Sequence, residues 1–322
     1  MAKILTGIQS TGTPHLGNIL GAIIPAIKMA NESHEESYLF IANMHSLTQI
    51  KNKEILKNNT FTTAAAWLAF DLDPNKSCFY RQSDIPEVTE LAWYLSCFFP
   101  YQRLKLAHSF KDKSENLKDV NSGLFSYPML MSADILIYDA NIVPVGKDQL
   151  QHLEMTRDVA ARFNNLMGDT FIIPEAKIQD NSNYVTGTDG QKMSKSKNNI
   201  IDIFLDDKSL KKQIMKIQTK SLSVDEQKDP DDCNVFKLYK LIAEEDNIKN
   251  LASRYRKGGI GYGESKEILY NEILNKFAKN REKFFKLMDD KEIVERLLTD
   301  GATKARVQAQ KVLKRVRASV GY

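Results

Sequence analysis

Cysteine is scarce in this chain of 322 residues. Its three cysteines, Cys78, Cys97 and Cys233, are far apart, form no Cys-x-x-Cys pair and have no histidine at metal-site spacing. This pattern argues against a structural zinc site or an iron–sulfur cluster, because both need clustered ligands. We expect buried or inert thiols instead.

Long apolar runs are also lacking. The most apolar helical segment, residues 19–30, contains Pro25 and Lys28 and is too short to cross a bilayer. The first residues begin a strand pattern and do not have the layout of a signal peptide. We therefore expect a soluble protein of the reducing cytoplasm, with no membrane partner.

Neither sign of charge dominates the sequence. The formal net charge is +4 and the isoelectric point is about 8.7, which permits an anionic partner without demanding one. Apolar residues make up 42% of the chain, as in ordinary globular proteins. The length predicts about two domains.

The first two-thirds of the sequence alternates between strand and helix patterns. Strand patterns cover residues 4–8, 38–42, 78–80 and 142–145, and helix patterns cover residues 18–30, 53–70, 87–98 and 150–163. Such alternation with short connections predicts an α/β fold, with a parallel sheet covered by helices on both faces.

The pattern changes at about Asp206. Helical periods follow over residues 208–217, 235–243, 266–288 and 302–318, without a convincing strand. The glycine-rich residues 258–263 follow no strand, so we interpret them as a loop or helix start and not as a dinucleotide site. These patterns predict a first domain over residues 1–205 and a helical one over 206–322.

The first segment with a chemical signature is residues 7–18, which leave a strand, turn on small residues and enter a helix. Free N–H groups at a helix N-terminus bind phosphate, and open α/β sheets bind ligands at the carboxyl ends of their strands. Gly12 and Gly17 allow a nucleotide to approach closely, and His15 and Asn18 can donate to it. Alone, the segment is equally compatible with a glycine-rich turn and a solvated histidine.

A second signature lies in residues 185–196. It ends in the run Lys192-Met193-Ser194-Lys195-Ser196. Gly187 and Gly190 give the flexibility that a closing loop requires, and Lys192 and Lys195 are spaced so that both can reach one polyphosphate. When a carboxylate attacks the α-phosphorus of ATP, rate comes from alignment and from cations that meet the leaving pyrophosphate. The alternative is an exposed basic surface loop. It is disfavoured because the first segment precedes this one in the chain, in the order that an ATP site of this kind requires.

The two segments resemble the two signatures of class I aminoacyl-tRNA synthetases. The first signature usually ends in His, and the Asn18 variant is familiar in tryptophanyl enzymes. Residues 127–136, 143–152 and 301–306 also resemble bacterial tryptophanyl-tRNA synthetases, and the likeness runs from about residue 3 to the end.

The resemblance implies an architecture and a reaction. It implies a Rossmann-like catalytic domain, an α-helical anticodon-binding domain and a last helix that packs back on the catalytic domain. It further implies that L-tryptophan is activated by ATP to tryptophanyl-adenylate and transferred to tRNA(Trp) by a homodimer. Mg²⁺ is expected to arrive with ATP, without a protein cage of its own.

The resemblance also assigns a tryptophan site. Asp134 would accept the indole N–H, the single hydrogen-bond donor of that ring. The surrounding pocket would be framed by Tyr127, Met131, Val143, Gln149 and His45. Plainer interpretations stay open: Asp134 as a helix-start acid, Met131 and the valines as ordinary core, and His45 as a structural histidine. His108 and His152 carry no motif spacing and are interpreted as structural.

For ATP, the resemblance assigns residues from both signatures and from the loop after the fourth strand pattern. The ATP-binding set is Gln9, Ser10, Thr11, Gly17, Asn18, Gly146, Lys147, Asp148, Val185, Lys192, Met193, Ser194, Lys195 and Ser196. Within the two signatures, the catalytic roles fall to His15, Asn18, Lys192 and Lys195. Lys111 and Lys113 resemble further basic residues that face ATP in relatives.

The last helix pattern offers a basic strip without acids from Ala302 onward. Its cations are Lys304, Arg306, Lys311, Lys314, Arg315 and Arg317. The strip can contact tRNA phosphates, a salt-sensitive interaction, or form a solvated face. Tyr255, Arg256 and Tyr262 are candidates to stack on unpaired anticodon bases.

Three other functions stay open at this point. A tyrosyl enzyme would also use an acid such as Asp134, and residues 127–134 and 143–149 favour tryptophan. A nucleotidyltransferase of the same superfamily would not need the long helical region. A non-catalytic tRNA-binding relative is disfavoured because both signatures are intact.

Overall fold

A parallel sheet organises the N-terminal half of the chain. The computed structural model describes residues 3–32, 36–107, 120–146, 149–178 and 184–322. The strands are β1 (Lys3–Ile8), β2 (Glu36–Ile41), β3 (Ser77–Arg81), β4 (Ile142–Val145) and β5 (Glu175–Ile178). They are all parallel and lie in the order β3-β2-β1-β4-β5. The predicted Rossmann-like α/β fold is confirmed.

Helices follow the strands and then continue alone. A first helical stretch, called α1 throughout, is made of Leu16–Asn18, a π-helical turn Ile19–Ile23, and Ile24–Glu32. The next helices are α2 (Asn43–Ser46), α3 (Lys53–Ala69), α4 (Glu87–Phe98), α5 (Tyr101–Leu104), α6 (Ser122–Leu136) and α7 (Leu150–Met167). The C-terminal helices are α8 (Asp207–Met215), α9 (Asn234–Lys240), α10 (Glu245–Lys257), α11 (Tyr262–Lys276), α12 (Ala278–Asp289) and α13 (Lys291–Val320).

The strand order creates one crevice. From β1 the chain moves outward to β2 and β3, and then returns to place β4 on the other side of β1, with Ile4 opposite Ile142. Ligands of such sheets bind where the strand order reverses, at the carboxyl ends of the strands. The candidate site is therefore expected beyond β1 and β4.

The main differences from the sequence patterns concern α6, β5 and the C-terminal helices. Helix α6 was not predicted; it contains Pro128, which cannot donate a backbone hydrogen bond. The helix nevertheless begins firmly, because Asn121 Oδ1 accepts the N–H of Leu124 at 3.1 Å. Strand β5 and helix α10 were also missed, and the pattern over 266–288 divides into α11 and α12 at Phe277.

The last helix is longer than predicted and packs on the sheet. It starts at Lys291, not near Ala302, and its buried residues join both hydrophobic clusters of the molecule. A Cβ at Gly301 would lie 1.8 Å from the carbonyl oxygen of Phe79, so α13 passes directly against β3. Position 205 is the predicted boundary between the two domains. Each hydrophobic cluster contains residues from before and after this position.

The basic strip on α13 is largely used inside the molecule. Arg306 forms an ion pair with Glu87, in which Nη2 lies 2.7 Å from Oε1. Arg315 pairs with Asp139, and Arg317 pairs with Glu90. The nitrogen of Lys304 donates to the carbonyl of Pro74. Four cations of the predicted tRNA strip therefore bind protein groups, whereas Lys311 and Lys314 are exposed.

Candidate active site

The crevice is lined by the residues that follow the strands. Gln9 and Ser10 follow β1, His45 lies in α2 after β2, Gln82 follows β3 and Gly146 follows β4. Parallel strands end at the same edge of a sheet, so these positions converge although they are far apart in the sequence.

A buried carboxylate lies between α6, α2 and the end of β3. Asp134 on α6 is 3% exposed, and its Oδ2 is 2.9 Å from Nε2 of His45. The amide nitrogen of Gln82 lies 2.9 Å from Oδ1 and 2.8 Å from Oδ2 of the same carboxylate. Asp134 is thus a buried acceptor and not a surface acid, and His45 is its direct partner.

Opposing effects act on the ionisation of Asp134. Burial raises the pKa of this carboxyl, whereas the hydrogen bonds from His45 and Gln82 lower it. Only an ionised carboxylate can accept from Gln82 through both oxygens while it also accepts from His45. For His45 to donate this hydrogen bond to Asp134, its ring must carry a hydrogen on Nε2.

Helical spacing places further predicted residues on the same face of α6. Tyr127, Met131 and Asp134 are separated by four and three residues, so their side chains lie above one another. The ring of Tyr127 meets His45 edge-on at 5.6 Å, and its hydroxyl hydrogen-bonds to Nε2 of His152 on α7. His152, predicted to be only structural, therefore supports a residue of the candidate pocket.

The first signature forms a reciprocal cap at the start of α1. Nδ1 of His15 accepts the backbone N–H of Asn18 at 3.2 Å, and Oδ1 of Asn18 accepts the backbone N–H of His15 at 3.2 Å. Asn at position 18 is therefore a fitting partner for His15, because it supplies the acceptor that completes the cap.

The ring of His15 is neutral in this setting. Burial, and then the charge of Lys195, lower the pKa of His15 from 6.5 to about 4. Because Nδ1 accepts a hydrogen bond, the neutral ring carries its hydrogen on Nε2. This nitrogen can donate to an oxygen of an anionic ligand without adding a positive charge.

The two signatures are in contact although 176 residues separate Gly17 from Met193. The N–H of Gly17 lies 3.3 Å from the sulfur of Met193, which is 4% exposed. Leu16 donates its N–H to the carbonyl of Ile201 at 2.8 Å, just beyond the second signature. The start of α1 and the second signature loop therefore form one wall of the crevice.

Lys195 of the second signature loop extends toward the first signature. Its Nζ would lie 3.3 Å from a Cβ at Gly12, so its ammonium group lies beside the first signature. Burial lowers the pKa of Lys195, and the nearby carboxylate of Asp202 opposes that effect. Lys192 and Ser196 are exposed, and the hydroxyl of Ser194 is 2.8 Å from that of Ser196.

Asn199 holds the second signature loop in shape. It is 2% exposed, its Oδ1 accepts the N–H of Ser194 at 2.7 Å, and its Nδ2 donates to Asp189 at 2.7 Å. Val185 is buried and its carbonyl accepts the N–H of Met193 at 2.9 Å. Contacts within the loop therefore hold it in this conformation.

Other predicted residues are held in place by contacts of their own. Val143 is buried in β4, and Met131 packs against the hydrophobic cluster to which Val143 belongs. Gln149 donates its N–H to the carbonyl of Gly146 at 3.0 Å. Ser10 is buried with its hydroxyl 3.1 Å from that of Ser46, and Thr11 follows it in the same loop. The predicted Lys147, Asp148, Lys111, Lys113 and His108 lie outside the described residues.

Sequence reasoning missed Gln82. Glutamine belongs to no motif at this spacing, and the one available signal was its position directly after a buried strand. The strand that precedes it, β3, ends at the same edge as β1 and β2.

Among the described residues, no group of three or more His, Cys, Asp or Glu side chains is placed to hold a metal ion. Cys233 is buried, Cys78 is half-buried with its pKa raised to about 11 by burial, and Cys97 is exposed. No helix within the described ranges has the length and apolar character needed to span a membrane.

Comparisons with known proteins agree with this arrangement. The family described as tRNA synthetases class I (W and Y) matches residues 1–278. A tryptophan–tRNA ligase of Campylobacter jejuni is 46% identical over 320 residues, covering 99% of each chain. One of Rhodopirellula baltica is 44% identical over 319 residues, again covering 99% of each chain.

A solved structure is similar over the whole fold. The tryptophanyl-tRNA synthetase of Campylobacter jejuni, crystallised with ADP and tryptophan, superposes with a TM-score of 0.95 at 45% identity. The alignment covers 99% of this chain and 100% of that one.

Proposed function

The chain belongs to the class I tRNA synthetases for tryptophan and tyrosine, and on this premise we propose that it is a tryptophan–tRNA ligase. It activates L-tryptophan with ATP to tryptophanyl-adenylate, releases pyrophosphate, and passes the tryptophanyl group to the 3′ end of tRNA(Trp). The observation that carries this proposal is a buried acceptor, Asp134, beside a crevice walled by the two contacting signatures.

The tryptophan pocket is built around Asp134. The indole ring has one donor and no strong acceptor, so a buried ionised carboxylate is the complement that it needs. Tyr127 and Met131 share the face of α6 on which Asp134 lies, and His45 contacts both Tyr127 and Asp134. Val143 and Gln149 complete the proposed pocket from β4 and the start of α7.

Adenylate formation falls to the two signatures. The tryptophan carboxylate attacks the α-phosphorus of ATP, the bond to the bridging oxygen breaks, and the electron pair leaves with pyrophosphate. His15 donates from Nε2, Asn18 keeps its amide NH₂ group as a donor, and Gly17 allows close approach. Lys192 and Lys195 balance the charge that develops on the leaving phosphates. The remaining members of the ATP site are proposed to be Gln9, Ser10, Thr11, Gly146, Lys147, Asp148, Val185, Met193, Ser194 and Ser196.

Mg²⁺ is proposed to enter with ATP as part of the substrate. It prefers phosphate oxygens and water to a full protein cage. Since ATP and tRNA are both cytoplasmic, we place the enzyme there as well.

The helical region over 206–322 is proposed to read tRNA, with the catalytic domain over 1–205. Lys311 and Lys314 are exposed on α13 and available to phosphates. Arg256 is exposed on α10, whereas Tyr255 is fully buried against Phe236. Tyr255 is therefore core, and Arg256 and the half-buried Tyr262 stay candidates for base contacts.

A homodimer is proposed because the family resemblance implies one, and exposed apolar side chains on three helices are compatible with it. Trp93 on α4 is 69% exposed, Tyr101 on α5 is 60% exposed, and Leu166 on α7 is 61% exposed. Leu166 also lines a groove of about 470 Å³, together with Phe99 and the charged Arg103 and Asp158. Exposed aromatic side chains are enriched at protein–protein interfaces. Light scattering should give twice the chain mass, and Trp93→Asp should give a monomer.

Amino-acid-dependent exchange between pyrophosphate and ATP tests the activity. Tryptophan should support exchange in the purified full chain and tyrosine should not, and tRNA(Trp) should then be charged. Exchange with tyrosine alone would show a tyrosyl enzyme. Lack of exchange with any amino acid, in folded protein, would favour a nucleotidyltransferase or a non-catalytic relative.

A further inference from the structure

Gln82 has an unusually complete set of contacts for a residue outside every motif. It is fully buried, and its amide nitrogen donates to both oxygens of Asp134. Its amide oxygen accepts from the backbone N–H of Met44 at 3.1 Å and of His45 at 3.4 Å. All of the polar atoms of this side chain are thus engaged.

These contacts fix the orientation of the amide. The backbone N–H groups of Met44 and His45 can only donate, so the side of Gln82 that faces them must be the oxygen. The NH₂ group therefore has to face Asp134. A flipped amide would place two donors against two donors and its oxygen against the carboxylate.

The acceptor capacity of Asp134 can then be counted. A carboxylate offers about four lone-pair sites. Oδ2 receives Gln82 and His45, whereas Oδ1 receives Gln82 alone among the described residues. One acceptor site is therefore left on Oδ1. It matches the indole ring, which has a single N–H donor.

We propose that Gln82 is the positioning residue for tryptophan selection: it holds Asp134 as a carboxylate with one free acceptor site for the indole N–H. This inference rests on the proposed function. Gln82 acts through Asp134. Its hydrogen bonds with the backbone of Met44 and His45 connect the segment after β3 with the segment after β2 at the pocket.

The ionisation of Asp134 gives this role a pH signature. The titratable groups that face Asp134 are His45 from α2, Tyr80 from β3 and Tyr138, which follows α6. Burial raises the pKa of Asp134, and Gln82 is one of the groups that oppose the rise. Without these donors the carboxyl should take up a proton at a higher pH and lose acceptor capacity.

Two variants separate positioning from simple packing. Gln82→Met removes the donors with similar volume. Gln82→Glu keeps an acceptor for Met44 and His45 but places a second acid against Asp134, so that the pair shares a proton. Thr156→Val is the matched control, because Thr156 is buried and bonds Ser132 on α6 without contacting Asp134.

The experiment is pyrophosphate exchange with L-tryptophan and with its benzothiophene analogue, in which sulfur replaces the indole N–H. Both Gln82 variants should lose roughly 10- to 100-fold in kcat/KM for tryptophan and much less for the analogue. Their KM for tryptophan should rise as the pH falls from 8 to 6, while wild type and Thr156→Val stay nearly flat.

The outcomes are distinct. Folded Gln82 variants with the wild-type kcat/KM for tryptophan and a flat pH profile would overturn this inference alone. Equal losses for tryptophan and the analogue, with a flat profile, would reduce Gln82 to a packing role. If wild-type protein fails to exchange with tryptophan, the proposed function itself falls.

Discussion

Gly17 donates its backbone N–H to the sulfur of Met193 at 3.3 Å, and this contact joins the two signature segments. A Cβ at Gly17 would lie 3.3 Å from Cβ of Met193 and 3.0 Å from the His15 ring, so the fit leaves little room. Met193 is buried there, whereas its neighbour Lys192 is exposed. Between the two lysines, the methionine anchors the loop to the start of α1.

Met193→Ala should therefore loosen the loop without removing a charged group. We expect about a tenfold lower kcat for pyrophosphate exchange, because the lysines lose alignment with ATP. Met193→Leu keeps the buried volume and should stay within about threefold of wild type. Equal activity of all three proteins would mean that the loop does not depend on this anchor.

Lys195→Ala should impair chemistry far more than amino-acid binding. The charge of Lys195 is needed when the phosphates separate, so kcat for exchange should fall about 10²- to 10³-fold. The Kd for tryptophan, measured by calorimetry, should hardly change. Lys197→Ala is the matched control, since Lys197 is an exposed lysine two residues away that bonds Gln191. A parallel loss of tryptophan affinity would contradict the assigned role.

Gly301→Ala should destabilise the protein strongly. The added Cβ would meet the carbonyl oxygen of Phe79 at 1.8 Å, and backbone on both sides leaves no flexible group to move. The free energy of unfolding, from denaturant titration, should fall by about 3 kcal/mol or more.

Gly263→Ala provides the comparison for that substitution. Gly263 is helical and exposed, and a Cβ there meets nothing within 4 Å. Alanine should leave stability unchanged or raise it by up to about 1 kcal/mol. Similar effects at the two glycines would show that α13 does not press on β3 as described.

His15 should make stability fall on the acid side of neutrality. The pKa of His15 drops from 6.5 to about 4 on folding, so between these values the unfolded chain binds a proton that the native protein does not. Stability from this group is complete above 6.5 and decreases, by up to about 1.4 kcal/mol per pH unit, as the pH falls toward 4. His15→Gln should show a shallower decline in unfolding free energy than wild type. Parallel pH curves for the two proteins would refute a neutral His15.

Much of the sheet and both signatures could be predicted from the sequence. Buried parallel strands such as β2 are continuous apolar runs, and helix α4 was predicted with its observed bounds, Glu87–Phe98. The reciprocal cap of His15 and Asn18 is local, so it follows from residues that are neighbours in the chain.

Other features depend on contacts that a linear pattern does not contain. Helix α6 was missed because Pro128 usually ends a helix, and burial against α4 and α7 overrides that preference here. The arginines of α13 appeared to be free cations because Glu87, Glu90 and Asp139 are more than 160 residues away in the sequence. Gln82 was missed for the same reason, since its partner Asp134 lies on a different element.

Tryptophan binding to Asp134→Ala tests the central claim most directly. Truncation removes the acceptor for the indole N–H, so the Kd for tryptophan should rise roughly 10- to 100-fold, while the KM for ATP stays near the wild-type value. An unchanged tryptophan affinity in the folded variant would contradict the account, because the pocket would then lie elsewhere.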